Sequence, residues 1–197
     1  MELLPEPGLE ELRQWYEEEQ QRFIECQGSF RLASEERILG LLEAPLGAYL
    51  RGTMAAIAAS VGRGGLLLRA LERGVLSPDA QYDAGTVVHL AAEYGPVELL
   101  KSLVVERGVD PNEARTDVWR PLPIAIDNGR EQEAIFLINE APGVDIDAPI
   151  SGGFTPLMVA AEHGLLDVLR AMVGKGAFVN TRNEEGFSAL SFAIWHK

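Results

Sequence analysis

The chain has 197 residues, of which 47% are hydrophobic, and it carries a formal net charge of −13 at pH 7. This composition is ordinary for a folded globular protein and argues against extensive disorder. An acidic field of this size repels phosphate backbones, so nucleic acid is excluded as an expected direct ligand, whereas a basic patch on a protein partner is favoured.

The amino terminus and the single cysteine bear on the compartment. The first six residues lack the basic and apolar regions of a secretory signal, and no apolar run reaches the roughly 18 residues that span a bilayer. Cys26 is the only cysteine, so it cannot form a disulfide within the chain, which is typical of a reducing compartment. We therefore expect a cytoplasmic protein, with the nucleus as the alternative, and no membrane association.

Residues 1–49 have a helical pattern in an acidic context. Apolar side chains recur at helical spacing among glutamates, at Leu9, Leu12, Tyr16 and Phe23. This pattern predicts an amphipathic helix of about five turns, and a shorter helical pattern follows before Pro45. We expect this segment to pack on the sequence that follows it as a cap; the alternative is an independent domain.

From residue 53 onward the chain repeats itself, with a ten-residue block that occurs five times. The copies begin at Thr53, Thr86, Arg120, Thr155 and Ser188, with spacings of 33, 34, 35 and 33 residues. A regular period of this length indicates stacked structural repeats.

Each block predicts a short first helix. A threonine at its start is a good N-cap, a proline after it suits the first helical turn, and a closing glycine fits the left-handed residue that ends many helices. The closing glycines are Gly62, Gly95, Gly129 and Gly164. Second apolar helices are predicted over residues 66–71, 97–105, 134–138 and 166–173.

The fifth block reaches Lys197 without a second helical pattern. Its apolar residues Leu190, Phe192 and Ile194 therefore lack the helix that would cover them. Three interpretations stay open: a ragged cap on the fourth copy, a fragment of a longer array, or a face that another subunit covers.

The blocks resemble the ankyrin repeat, whose signature is Thr-Pro-Leu-His-x-Ala. The segments Thr155-Pro156-Leu157 and His89-Leu90-Ala91-Ala92 together contain that signature. The resemblance implies an all-α ankyrin-repeat solenoid of helix-turn-helix units with hairpin-like fingers, capped by N-terminal helices. It also implies that His89 hydrogen-bonds between neighbouring units. The predicted domains are a helical cap at 1–49 and repeats at 50–197, with bounds of 50–81, 82–115, 116–150, 151–183 and a partial copy at 184–197.

The resemblance further implies that a partner binds the concave face, which is formed by the fingers and the exposed ends of the first helices. The candidate partner-binding residues are Tyr82, Asp83, Glu93, Tyr94, Asp117, Trp119, Asp127, Asn128, Phe154, Glu162, His163, Phe187 and Trp195. Aromatic side chains are frequent anchors of interfaces, and the interleaved carboxylates favour basic groups. We therefore predict a protein or peptide ligand with apolar anchors and basic flanks. In the alternative, finger aromatics such as Phe154 and Phe187 only pack on neighbouring fingers, and the acidic residues are solvated surface.

Residues suited to catalysis or metal binding are isolated in the sequence. His163 and His196 have no cysteine or second histidine nearby, and a metal site needs three or four convergent ligands. Cys26 lies among glutamates, which disfavour a thiolate. We therefore expect a monomeric, non-enzymatic adaptor or scaffold without a cofactor or metal. The alternatives are an assembly subunit that oligomerises through its C-terminal edge or N-terminal helix, and the targeting domain of a larger enzyme.

Overall fold

The computed structural model describes residues 64–78, 85–115 and 117–195, together with Glu36, Leu39 and residues 55–56 and 59–60. Its α-helices with defined bounds are α1 (Gly65–Glu72), α2 (Val87–Tyr94), α3 (Val97–Lys101), α4 (Pro121–Asp127), α5 (Glu131–Asn139), α6 (Pro156–Glu162), α7 (Leu166–Gly174) and α8 (Ala189–Trp195). A π-helical turn at Ser102–Glu106 continues α3, and a 3₁₀ turn at Ser151–Gly153 precedes α6. The predicted all-α class is confirmed.

The helices stack in two parallel rows. The first helices of successive copies, α2, α4, α6 and α8, pack on one another in that order, and the second helices α1, α3, α5 and α7 do the same. Within the second, third and fourth copies the two helices also pack together, as α4 does on α5. This arrangement is the predicted solenoid, in which stability comes mainly from contacts between adjacent repeats.

Small side chains at the centre of the first helices permit this close stacking. Ala91, Ala125 and Ala160 occupy equivalent positions in α2, α4 and α6, and each is 0% exposed. Because alanine carries no atom beyond Cβ, the neighbouring helices can approach closely at these points.

The glycines that close the first helices do not all behave as predicted. Gly129 and Gly164 have φ angles of 66° and 67°, the left-handed conformation expected at a helix end. For Gly95 the prediction is wrong, because its φ is −79° and its ψ is 163°. The residue after it is Pro96, and the ring of a proline disfavours helical conformations of the residue before it.

His89 connects the start of its own helix to the last residues of its copy, just before the next finger. Its Nε2 lies 2.9 Å from the carbonyl oxygen of Glu113, and its Nδ1 accepts a hydrogen bond from the Thr86 amide at 3.1 Å. The Thr86 hydroxyl lies 2.9 Å from the same Nδ1. Because Glu113 lies within the predicted bounds of the same copy, 82–115, this bond differs from the bond between neighbouring units that the resemblance implied. Burial lowers the pKa of His89 to about 4, so the ring is neutral at pH 7.

Two described residues before the repeats pack on the first of them. Leu39 is 0% exposed, and the Glu36 carboxylate accepts hydrogen bonds from the Arg73 guanidinium at 3.0 and 3.1 Å. The predicted long helix of residues 9–23 and Cys26 lie outside the described residues. The division at residue 49 stays a prediction.

Candidate functional site

The segments between copies form fingers that close in the same way, and the finger of the third copy, Arg115–Trp119, is called the third finger. In each of three fingers a backbone amide donates to the carbonyl oxygen four residues later. The bond joins Arg115 to Trp119 (2.8 Å), Ile150 to Phe154 (2.8 Å) and Asn183 to Phe187 (2.9 Å). Neighbouring fingers are also joined, since the Glu184 amide donates to the Gly152 carbonyl at 3.0 Å. Each finger therefore places an aromatic residue next to the start of the following first helix.

The third finger contains an unusual backbone conformation at Val118. Its φ is 63°, and it is the only described residue other than glycine with a positive φ. The equivalent positions in the two fingers that follow are Gly153 and Gly186, which have φ angles of 73° and 87°. A β-branched residue is strained in this region, so the finger that carries Trp119 holds a conformation that its sequence disfavours.

A pocket of about 270 Å³ opens between the ends of α2 and α4 and the third finger. It is lined by Glu93, Arg115, Trp119, Ile124, Asp127 and Asn128. Four of these residues, Glu93, Trp119, Asp127 and Asn128, are predicted partner-binding residues, and the fold brings them together. The volume lies below that of typical small-molecule pockets, so the pocket suits a single side chain better than a whole cofactor.

Two residues of this pocket, Arg115 and the buried Ile124, were not among the predicted ones, and Arg115 is the charged one. Its Nη2 lies 2.8 Å from Oδ2 of Asp117, and its Nη1 lies 3.8 Å from Oε2 of Glu93. The hydrogen bond from Arg115 lowers the pKa of Asp117. The other described fingers have Ile150 and Asn183 at the equivalent position. The basic residue in this one copy was therefore the sequence signal from which the role of Arg115 could have been predicted.

Replacing Arg115 with methionine should raise the pKa of Asp117 towards its ordinary value, because the guanidinium that stabilises the carboxylate is lost. Side-chain carboxyl chemical shifts followed by NMR during an acid titration would measure this. Arg170→Met is the matched control, because Arg170 pairs with Asp167 at 2.8 Å on the distant helix α7. An unchanged Asp117 titration in Arg115→Met would contradict the pairing.

Tyr94 and Glu93 form a second polar element at the end of α2. Tyr94 is half-buried, and its hydroxyl lies under the influence of the Glu93 carboxylate. Burial and then this carboxylate raise the pKa of Tyr94, so its hydroxyl stays protonated and remains a donor. Glu93 therefore contacts a donor on one side and the Arg115 cation on the other.

Asp127 and His163 join the exposed ends of two first helices. Nε2 of His163 lies 3.1 Å from Oδ1 of Asp127, and both side chains are partly exposed. Glu162 precedes His163 on α6 and is half-buried. The predicted residues on α4 and α6 therefore form a continuous polar strip beside the pocket.

The aromatic residues at the C-terminal end form a separate cluster. Phe154 and Phe187 have ring centroids 5.3 and 6.1 Å from that of Phe192, which is buried. The Trp195 ring lies 5.4 Å from Phe187 and is 71% exposed. Phe154 and Phe187 thus both pack on Phe192 of α8, whereas the structural alternative for these two residues was packing on neighbouring fingers. Tyr82 and Asp83 lie outside the described residues.

Comparison with known proteins places these features in a family. The family model for ankyrin repeats matches residues 88–183 with three copies. The B-cell lymphoma 3 protein homolog of Mus musculus is 34% identical over 112 residues, which are 55% of this chain and 25% of that protein. The neurogenic locus notch homolog protein 1 of Xenopus tropicalis is 32% identical over 111 residues, 55% of this chain and 4% of that protein.

A third relative is the NF-kappa-B inhibitor cactus of Drosophila yakuba, 35% identical over 80 residues, which are 40% of this chain and 16% of that protein. The chain therefore spans a quarter or less of the length of these relatives. In the part of the chain that the structure describes, each helix is too short or too polar to cross a membrane.

Proposed function

Since this chain is an ankyrin-repeat protein, with repeats at residues 88–183, we propose that it is a non-enzymatic adaptor or scaffold that binds a protein through its concave face. Ankyrin repeats are modules for protein–protein interaction, and the name of the relative cactus identifies it as an inhibitor of NF-kappa-B. We infer a cytoplasmic location from the composition, with the nucleus as the alternative. The partner has apolar anchors and basic groups.

The observation that carries this proposal is the pocket beside Trp119. The half-buried Trp119 supplies an apolar wall, Ile124 is buried at 2% exposure, and Glu93 and Asp127 supply carboxylates. A lysine or arginine of a partner peptide can lay its aliphatic stem on the indole and direct its charged end to the carboxylates. Arg115 neutralises part of this acidic charge, so the pocket suits one cation better than a run of them.

The order of three surface features along the first helices indicates what shape of peptide fits this face. The pocket, the Asp127–His163 pair and the aromatic cluster at Trp195 follow one another along the first helices α4, α6 and α8. An extended or helical peptide that crosses these three points meets a cation site, a polar strip and an exposed indole in turn. Trp and Tyr at such positions usually carry most of the binding energy.

Replacing Trp119 with alanine should weaken partner binding by about 2 kcal/mol or more, roughly thirtyfold in Kd, because the apolar wall of the pocket is lost. A pull-down from cell lysate with quantitative mass spectrometry would identify the partner, and calorimetry would then measure Kd. Phe178→Ala is the matched control, because Phe178 is 69% exposed and does not line this pocket.

This test reports on recognition only if the Trp119→Ala chain still folds. Circular dichroism and thermal unfolding should show the Trp119→Ala chain as folded as the Phe178→Ala chain. If a folded Trp119→Ala chain retains the partner with wild-type affinity, the concave pocket is not the recognition site.

A further inference from the structure

One exposed apolar residue stands beside the candidate pocket. Val118 is 43% exposed, and it directly precedes Trp119 on the third finger, so the Cα atoms of these two residues are about 3.8 Å apart. Trp119 lines the pocket, and so does Arg115 at the other end of the same finger. Val118 therefore offers apolar surface to solvent immediately next to the pocket.

The backbone at Val118 makes a valine unfavourable for the fold. Its φ is 63°, whereas Gly153 and Gly186 hold the equivalent positions of the two following fingers. Glycine adopts such left-handed angles without steric strain, and a β-branched residue does not. The amides of Val118 and Gly186 each donate to the carbonyl three residues earlier at 2.9 Å. A glycine at position 118 would therefore build the same turn with less strain.

Packing within the chain does not explain why the valine is there. The residue of this finger that packs on the core is the half-buried Trp119, while Val118 is exposed. Strained backbone positions are concentrated where a protein binds a ligand. An exposed apolar side chain on a strained backbone, next to a pocket, therefore indicates a contact that is made with a partner.

The charges around the third finger indicate which partner fits. Glu93 and Asp127 line the pocket, Asp117 directly precedes Val118, and the whole chain has a net charge of −13. Such a surface attracts a cation and repels acidic segments. A basic side chain is thus favoured inside the pocket, and an apolar one is favoured against Val118 beside it.

We propose that Val118 selects an aliphatic side chain of the bound peptide, close to the lysine or arginine whose charge the pocket receives. This inference rests on the proposed function and adds a second ligand residue to it. An extended chain advances about 3.3 Å per residue, so the aliphatic residue lies within roughly two residues of the basic one. Val118 and Trp119 together then form the apolar contact next to the cation.

The probe is a library of synthetic peptides that share one fixed lysine, with every other position varied in turn. Bound to the full chain, this library should be enriched in leucine, isoleucine, valine or methionine at a position near the lysine. Replacing that aliphatic residue with alanine in a selected peptide should weaken binding about fivefold, because apolar contact area is lost.

Val118→Ala tests for a direct contact from the side of the protein. It should bind the selected peptide about fivefold more weakly, but it should bind the alanine-substituted peptide as well as the wild type does, since contacting residues are energetically coupled. Alanine keeps a Cβ and thus the same backbone restriction. Val105→Ala is the matched control, because Val105 is 56% exposed on the π-helical turn at Ser102–Glu106, and it should change neither affinity.

Val118→Gly tests the strain. It should raise Tm by a few degrees, because the left-handed backbone is then unstrained, while it binds the selected peptide more weakly. Gly186→Val is the reciprocal control. Its φ is 87°, and among the described residues beyond its chain neighbours a Cβ at this position has no atom within 4 Å. Its Tm should therefore fall through strain alone.

Three results would overturn the role of Val118: a library without an aliphatic preference near the lysine, a Val118→Ala chain that keeps the wild-type preference, or a Val118→Gly chain with a lower Tm than the wild type. Trp119→Ala separates this inference from the proposed function. If no peptide is retained, or if the retained peptides bind Trp119→Ala as tightly as the wild type, both fail. If binding depends on Trp119 but not on Val118, only the role of Val118 fails.

Discussion

Replacing Ala160 with aspartate is expected to destabilise the fold by about 4 kcal/mol or more, which is a large part of the 5–15 kcal/mol that holds a typical domain together. Ala160 is 0% exposed in α6, and α6 packs on both α4 and α8. The new carboxylate would be buried without a cation, and its extra volume would separate the two neighbouring helices. Urea unfolding followed by circular dichroism would measure the change.

The chain offers a matched control at the same position of the next copy. Ala193 is the equivalent of Ala160 in α8 but is exposed, so Ala193→Asp should leave the unfolding midpoint within about 0.5 kcal/mol of the wild type. Both chains are measured at the same protein concentration. Equal destabilisation by the two substitutions would contradict the assignment of Ala160 to a packed interface between repeats.

Stability should also fall as the pH is lowered from 7 to 5, because His89 must stay neutral in the fold. Its pKa is about 4 in the folded chain and about 6.5 in an unfolded one. Between these values the unfolded state binds one proton more than the folded state, so stability rises with pH. The contribution of His89 should be about 2 kcal/mol smaller at pH 5 than at pH 7.

His89→Met is the variant that isolates this effect. Met158 occupies the equivalent position in α6, where its Sδ accepts from the Thr155 amide at 3.5 Å, so methionine is accommodated at this point of the repeat. The variant should be less stable at pH 7, since the bond to the Glu113 carbonyl is lost, but its stability should change less between pH 7 and 5. If the stability of the wild type and that of His89→Met change equally between pH 7 and 5, His89 does not titrate as described.

The period of the sequence predicted much of the fold because each block is a local signal repeated five times. The caps Thr86 and Thr155 and the buried alanines Ala91 and Ala160 lie where the pattern predicted. Glu133 was not predictable in this way. It is buried at a position where Leu99 and Val168 are apolar, and it pairs with Arg130 at 3.0 Å. Its partner Arg130 is the N-cap residue of the same helix, and a pattern of apolar positions gives no signal for such a local ion pair.

The candidate site was predicted less completely than the fold, because the repeat register does not describe how far a side chain reaches. The repeat register placed Glu93, Trp119 and Asp127 on one face, and the structure brings them into one pocket. Arg115 lies on the finger and joins Asp117 to Glu93 through its side chain. The register defines where a backbone position lies, but it does not define how far a long side chain reaches or which carboxylate it contacts.

The left-handed valine in the third finger has a consequence for the entropy of recognition. Glycine, which stands at this point in the other described fingers, has access to far more backbone conformations than a β-branched residue. Val118 therefore restricts the motion of the backbone next to Trp119, and its strain is a free-energy cost carried by the unbound protein. A surface that is already ordered loses less conformational freedom when a ligand arrives. The indole of Trp119 is thus preorganised by its neighbour in the chain.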